Sequence, residues 1–165
     1  MIRNKILSDI NSLNQLNKIY NWLPNETMVR PTPEDLQKKN TLISLINREW
    51  LSTKDYILHN IFGKEYQEVN GIKFVKDLDN LKEWVFLPSL FRYNLENHSN
   101  HYILWNSKFK FIDDIDDEII NEILEKELVK LLNHDEFDFA WYKNPKPSVP
   151  EFYHLQVFFT QKIKI

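Results

Sequence analysis

The sequence contains no cysteine, and this absence removes several kinds of chemistry at once. It excludes disulfide bonds, thiolate metal sites and a cysteine nucleophile. The first residues, MIRNKILSDINSL, lack the apolar core of a signal peptide, and no segment approaches the ~18 apolar residues of a membrane-spanning helix. We therefore expect an intracellular, cytoplasmic protein with no membrane partner.

The chain also lacks an excess of basic residues, because its net charge is −3 and its isoelectric point is about 6.0. A protein that binds duplex nucleic acid usually carries a basic face or stripe, so we expect no duplex nucleic-acid partner. Aromatic residues make up 14% of the chain, whereas disordered chains are poor in them. The 165 residues are enough for one ordered domain.

Hydrophobic spacing divides this single domain into a mainly helical part, residues 1–62, and a part with a sheet and one helix, residues 63–165. Apolar residues at three- and four-residue spacings predict a helix over residues 5–22. Thr32 and Ser52 have the side chains and sequence context of N-caps, so each is predicted to begin a further helix.

The second part contains signals for strands, a hairpin and an amphipathic helix. Asn70-Gly71 between two alternating segments predicts a β-hairpin, and EWVFLP, HYILWN, FDFAWY and HLQVFFTQKI predict strands. Residues 116–133 predict a helix. The apolar residues expected on its buried face are Ile119, Ile120, Ile123, Leu124, Leu128, Leu131 and Leu132. We therefore predict an α+β fold, in which the N-terminal helices and this later helix pack on a small, mainly antiparallel sheet.

The acidic run DDIDDE, residues 113–118, resembles a metal-binding segment at first sight. An EF-hand loop would need a glycine at its turn and a glutamate at its last position, and neither is in register. Acidic residues at a helix start instead stabilise the positive end of the helix dipole, by ~0.3–1 kcal/mol each. We therefore predict helix capping here, and neither a metal site nor a cofactor.

His101 and His154 each begin a predicted strand. Strand alternation places His101 on one face with Trp105, and His154 on one face with Gln156. If the two strands are parallel, both imidazoles lie at the same end of the sheet and can act together as acid and base. If the strands are antiparallel neighbours, the histidines lie at opposite ends. The alternative for each histidine is a structural hydrogen bond to a loop carbonyl.

Three prolines lie in the segment WYKNPKPSVPEFYHLQVFF, between a Trp-Tyr pair and His154. Proline fixes its own φ and favours extended geometry before it, so the segment is predicted to form a rigid arch rather than a tight hairpin turn. Such an arch would hold Lys143, Asn144 and Ser148 above the strand that begins at His154. The alternative is an edge loop whose prolines block unwanted strand pairing.

Three segments together resemble an uncharacterised domain family that is found in fungi and includes the N-acetylglucosamine-induced proteins. They are TPEDLQKKNTLISLINREWLSTKDYILHNIFG, LFRYNLENHSNHYILWNSK and WYKNPKPSVPEFYHLQVFF, and the resemblance covers roughly residues 30–160. The positions that match the family pattern are Tyr93, Leu95, His101, Trp105, Asn144, Pro145, Ser148 and His154.

The sequence departs from that family pattern at three positions. Arg92 replaces a proline and Asn94 replaces a glycine, while Gln156 replaces the second histidine of a His-x-His motif. The resemblance implies a link to amino sugars but no particular reaction. If the missing histidine acts as a catalytic base in the family, this chain is a binding protein.

Together these features predict a polar and aromatic cleft that binds a small polar ligand, phosphorylated or sugar-containing, with no assigned reaction. The expected catalytic residues are His101 and His154. The expected ligand-binding residues are Tyr93, Trp105, Lys143, Asn144, Ser148 and Gln156. One alternative is a non-enzymatic module that binds a protein partner or forms a homodimer, and another is a nucleotide or RNA-cap reader that stacks bases between tryptophans such as Trp105 and Trp141.

Overall fold

The structure is a computed structural model, and it describes residues 2–5, 33–89, 100–108, 115–142 and 152–161. The predicted α+β class is confirmed. The helices are α1 (Pro33–Glu49), α2 (Thr53–Asn60) and α3 (Asp117–Leu132). The strands are β1 (Ile2–Lys5), β2 (Gln67–Val69), β3 (Ile72–Phe74), β4 (Trp84–Pro88), β5 (Asn100–Asn106), β6 (Phe137–Tyr142) and β7 (His154–Gln161).

The main sheet has five strands in the order β1-β6-β7-β5-β4, and every neighbouring pair is antiparallel. The four strands predicted from aromatic and branched residues are confirmed as β4 to β7. The predicted hairpin is confirmed as well, because β2 and β3 pair on either side of Asn70 and Gly71. These two residues have φ values of 53° and 81°, and positive φ at both central positions is what a tight hairpin turn requires.

Helix α3 covers one face of the main sheet. Its first turn is capped by Asp116, whose carboxylate accepts a hydrogen bond from the Glu118 N–H at 3.0 Å, so the predicted capping role is confirmed at this residue. Ile120, Leu124 and Leu128 are fully buried and pack against the aromatic and branched side chains of β5, β6 and β7. Their four-residue spacing places them on one side of the helix.

The predicted buried face of α3 is too wide. Ile119 and Leu131 were expected to be buried, but their side chains are 50% and 46% exposed. Ile123 and Leu132 lie at the margin of the core and are partly buried. Seven apolar positions span more of the helix circumference than a flat sheet can cover, so the outer ones remain in contact with solvent.

Helix α2 packs against the opposite face of the main sheet. Its predicted N-cap is confirmed, because Ser52 Oγ accepts a hydrogen bond from the Asp55 N–H at 3.2 Å. Ile57 and Leu58 of this helix are buried in a second core with Trp105 and Phe152. The sheet therefore lies between α3 on one face and α2 on the other, as a layered α+β fold requires.

The start of the chain differs in part from the prediction. Lys5 was expected to begin a helix over residues 5–22, but it ends strand β1, which pairs with β6. The rest of that predicted helix and the predicted N-cap Thr32 lie outside the described residues. Among the helices that the structure describes, none combines the length and the apolar character that crossing a membrane requires.

Candidate functional site

One face of the main sheet carries the four predicted site residues that the structure describes. His101 and Trp105 belong to β5, and His154 and Gln156 belong to β7. Trp105 pairs directly with His154 in the ladder, and directly paired residues of an antiparallel ladder project from the same face. The predicted alternation is therefore confirmed, and it brings these four side chains to a common face.

His101 is bonded inside this face. Its ring Nε2 lies 2.5 Å from Oε1 of Gln156, so the imidazole N–H donates to the amide oxygen. The ring also stacks on Phe158, with centroids 4.7 Å apart and planes 24° apart. His101 is 2% exposed and Gln156 is 7% exposed. This buried cross-strand pair ties β5 to β7 through side chains as well as through the backbone ladder.

His154 is bonded to the main chain. Its Nδ1–H donates to the carbonyl oxygen of Phe152 at 2.8 Å, which fixes the orientation of the ring. The ring stacks on Trp105 with centroids 4.7 Å apart, and both side chains are buried. This arrangement is the structural alternative that the sequence left open for each histidine.

The prediction that the two histidines act together on one substrate is wrong. His101 lies opposite Phe158, and His154 lies opposite Trp105, which is four residues further along β5. At the rise of an extended strand this separation is roughly 13 Å. Because β5 and β7 are antiparallel, their first residues lie at opposite ends of the pair, and no acid–base pair forms.

The other four predicted ligand-binding residues belong to segments that the structure does not describe. Tyr93, Lys143, Asn144 and Ser148 lie outside the described residues, as do the three prolines between Tyr142 and Phe152. The rigid arch and the cleft beneath it therefore stay predictions.

Neither tryptophan proposed as a stacking platform presents a ring to solvent. Trp105 is 6% exposed and belongs to the core under α2, and Trp141 is 1% exposed and belongs to the core under α3. The indole N–H of Trp141 donates to Asn121 Oδ1 at 2.8 Å. Both rings are buried because they lie at positions of β5 and β6 that face a helix. A cap reader that uses these tryptophans would need them exposed.

A different group of aromatic side chains lies where α1, α2 and the β2–β3 hairpin meet, around Trp50, which is 7% exposed, with the exposed ring of Tyr66 at its outer side. It consists of Trp50, Tyr56, His59, Tyr66 and Lys73, and we call it the Trp50 cluster. The tryptophan is its centre: its ring stacks on the histidine at 5.6 Å and meets the two tyrosine rings edge-on at 5.6 and 5.4 Å. The ammonium group of Lys73 lies over the Trp50 and Tyr66 rings, 5.7 and 5.4 Å from their centroids.

Backbone hydrogen bonds hold the Trp50 cluster in place. Trp50 follows the last residue of α1 and forms an isolated parallel bridge with Lys73, and the N–H of Leu51 donates to the Lys73 carbonyl at 2.8 Å. The imidazole Nδ1–H of His59 donates to the Lys64 carbonyl at 2.6 Å, which fixes this ring beside Tyr66. The Trp50 and His59 rings are therefore fixed by bonds to the hairpin and to the segment that follows α2.

The surface of the Trp50 cluster combines apolar, aromatic and acidic groups. Leu51 is 68% exposed and Tyr66 is 41% exposed, although both are large hydrophobic residues. Glu68 pairs with Lys73 across the hairpin, and Glu65 precedes Tyr66. Nearby, Lys64 forms an ion pair with Asp77.

Burial within the Trp50 cluster changes the chemistry of one tyrosine. Desolvation raises the pKa of the Tyr56 phenol above its ordinary value of 10.0, because the ionised form is disfavoured beside the apolar rings. The phenol therefore stays protonated to higher pH than a free tyrosine. It contributes an uncharged wall to the cluster throughout the neutral range.

Sequence reasoning missed the Trp50 cluster, although part of its signal was present. The predicted hairpin turn at Asn70-Gly71 pairs Glu68 with Lys73, so these two side chains lie on the same face. Strand alternation places Tyr66 on the face of Glu68, and therefore on the face of Lys73 as well. The contribution of Trp50 depends on a bridge between a helix end and a strand, and no local pattern predicts that contact.

Comparisons with protein-family models, curated proteins and solved structures give no match for this chain. The resemblance to the fungal family therefore stays a prediction. Within the part of the chain that the structure describes, no three His, Asp or Glu side chains are grouped so that they could hold a metal ion.

Proposed function

We propose that this domain is a non-enzymatic interaction module that binds a basic peptide segment of a partner protein on the Trp50 cluster. The position of Lys73 supports this proposal best, because its alkylammonium group already lies over two ring faces of this surface. Aromatic faces attract cations through their quadrupole, so a lysine or arginine side chain of a partner fits the same rings.

The surroundings of the rings favour the same partner. Tyrosine and tryptophan are enriched at protein interfaces, and Leu51 adds an exposed apolar contact beside them. Glu68 lies opposite Lys73 in the hairpin, and its negative charge complements a basic segment and speeds its association. A non-enzymatic role also agrees with the sheet face, where the predicted catalytic histidines are engaged in structural bonds.

Peptide binding tests this proposal directly. A fluorescein-labelled peptide with lysines separated by glycine and serine is titrated with the full chain, and a second peptide carries glutamate in place of each lysine. We expect the lysine peptide to bind more tightly. Tyr66→Leu removes an exposed ring but keeps an apolar side chain, so it should weaken the lysine peptide by about fivefold, the equivalent of one exposed cation–π contact.

Leu78→Ala is the matched control for that variant. Leu78 is an apolar residue that is 48% exposed, close to the exposure of Tyr66, and it is not a member of the Trp50 cluster. The proposal fails if the lysine and glutamate peptides bind equally, or if Leu78→Ala weakens binding as much as Tyr66→Leu does.

A second candidate function is the binding of a small polar ligand at the sheet face. The observation that favours it is the row of buried polar side chains formed by His154, Gln156 and His101, where apolar residues would be expected in a sheet covered by a helix. This candidate no longer includes an acid–base pair. The resemblance to the family of the N-acetylglucosamine-induced proteins belongs to this candidate as well, because it implies a link to amino sugars.

Thermal unfolding tests the second candidate with nucleotides, sugar phosphates and amino sugars. A compound present at ten times its Kd stabilises the folded state by about 1.4 kcal/mol, which shifts the melting temperature by a few degrees. If one compound stabilises the unmodified protein but not Gln156→Leu, the sheet face is its site. A screen in which no compound shifts the melting temperature rejects this candidate.

A further inference from the structure

Lys73 occupies the Trp50 cluster in the way that a ligand would. Its ammonium group lies over Trp50 and Tyr66, whose ring planes are inclined by 65° and so form two walls of a cage. His59 supports the two walls, because its ring stacks on the tryptophan and stands at 88° to the tyrosine. Such a cage of aromatic faces is the arrangement by which proteins recognise quaternary ammonium groups.

Lys73 is also held weakly enough to be displaced. Its side chain is only partly buried, and its ammonium group lies 5.7 and 5.4 Å from the ring centroids, the outer part of the cation–π range. Leaving the cage would therefore cost the two ring contacts, while the ammonium group regains its hydration. The backbone bridge between Trp50 and Lys73 does not involve the side chain, so Trp50 stays in place when the lysine leaves.

We propose that the Trp50 cluster is a binding site for a methylated lysine side chain, and that Lys73 is the internal competitor which this side chain displaces. The proposal rests on the proposed function, because it names the group of the basic partner segment that enters the cage. An unmethylated ammonium is compact and strongly hydrated, whereas a trimethylated one is larger and gives up its water more easily. An aromatic cage with Glu68 beside it therefore favours the methylated ligand over Lys73.

The test compares three peptides that differ at one side chain: trimethyllysine, lysine, and an uncharged isostere that ends in a tert-butyl group. Each is titrated against the unmodified protein and against Lys73→Thr, which keeps a residue suited to a strand and removes the competitor. We expect trimethyllysine to bind Lys73→Thr roughly 5- to 30-fold more tightly, since two ring contacts no longer have to be broken. Lys76→Thr is the control, because Lys76 is an exposed lysine of the same segment.

A measurement on the unmodified protein keeps the proposal testable if Lys73→Thr does not fold. Protons of a side chain that lies over aromatic rings resonate upfield, so the ε-methylene signal of Lys73 reports whether the lysine occupies the cage. Adding the trimethyllysine peptide should move this signal to the position of a free lysine. A signal that stays upfield at saturation overturns the displacement.

The remaining outcomes separate this inference from the proposed function. If the lysine peptide binds at the Trp50 cluster but Lys73→Thr changes no affinity, the inference fails and the proposed function stands. Equal binding of trimethyllysine and its uncharged isostere also overturns the inference. If tetramethylammonium binds as tightly as the trimethyllysine peptide, the site recognises free amines, which contradicts a peptide partner. If no peptide binds either protein, both proposals fail.

Discussion

The buried bond between His101 and Gln156 gives the sharpest test of whether the sheet face is structural. Gln156→Leu keeps the approximate size of the side chain but removes the oxygen that accepts from the imidazole Nε2. Taking one partner away from a buried hydrogen bond costs about 1–3 kcal/mol, which is a large part of the roughly 5–15 kcal/mol that stabilises an ordinary domain.

The double variant His101→Phe with Gln156→Leu should recover much of that loss. Replacing both partners by apolar groups of similar shape is nearly neutral, and a phenyl ring at position 101 can keep the stacking on Phe158. We therefore expect a coupling free energy of about 1 kcal/mol or more between the two substitutions, within the range of residues in direct contact.

Urea denaturation of the four proteins in this cycle, followed by the fluorescence of the five tryptophans, measures the coupling. A second cycle combines His101→Phe with His154→Phe as the control. These residues lie about 13 Å apart, so their effects should add to within ~0.5 kcal/mol. Additive effects in the first cycle, or strong coupling in the second, would refute the arrangement of the sheet face described above.

Two further predictions concern the core and the Trp50 cluster. Leu124→Ala should lower the free energy of unfolding by about 2–5 kcal/mol because Leu124 is fully buried, whereas Ile119→Ala, at a half-exposed position of the same helix, should change it by less than ~1 kcal/mol. The raised pKa of Tyr56 implies a contribution to stability that is present below pH 10 and lost as the pH rises through the pKa of the folded state. Stability should therefore fall less between pH 9 and 11 in Tyr56→Phe than in the unmodified protein, and an equal fall in both would contradict the burial of this phenol.

The features that the sequence predicted correctly depend on neighbouring residues. The N-cap Ser52 needs only Asp55, three positions later, and the hairpin needs only the two turn residues Asn70 and Gly71. Strand alternation is also local, which is why the correct side chains were assigned to a common face. Each of these signals is complete within one turn or one strand.

The relative direction of neighbouring strands is not determined by local sequence, and the predicted histidine pair depended on it. A strand with the same alternation fits a parallel or an antiparallel neighbour, so the pattern alone left both arrangements open. The ladder between β5 and β7 is antiparallel, so His101 and His154 lie at opposite ends of this strand pair. The Trp50 cluster was missed for a related reason, because its centre joins a helix end to a distant strand.

The contrast between these two groups of side chains bears on where a function resides. The polar residues of the sheet face have a structural explanation. A one-residue slip of β7 against β5 would break the hydrogen bond between His101 and Gln156 and leave both side chains buried without that bond. The pair therefore specifies the register of the two strands. Leu51 is 68% exposed and Tyr66 is 41% exposed, and apolar area left in water contributes nothing to folding by its burial. Apolar and aromatic area that is exposed gains this stabilisation when a partner covers it, and this supports our proposal that the domain binds a partner at the Trp50 cluster.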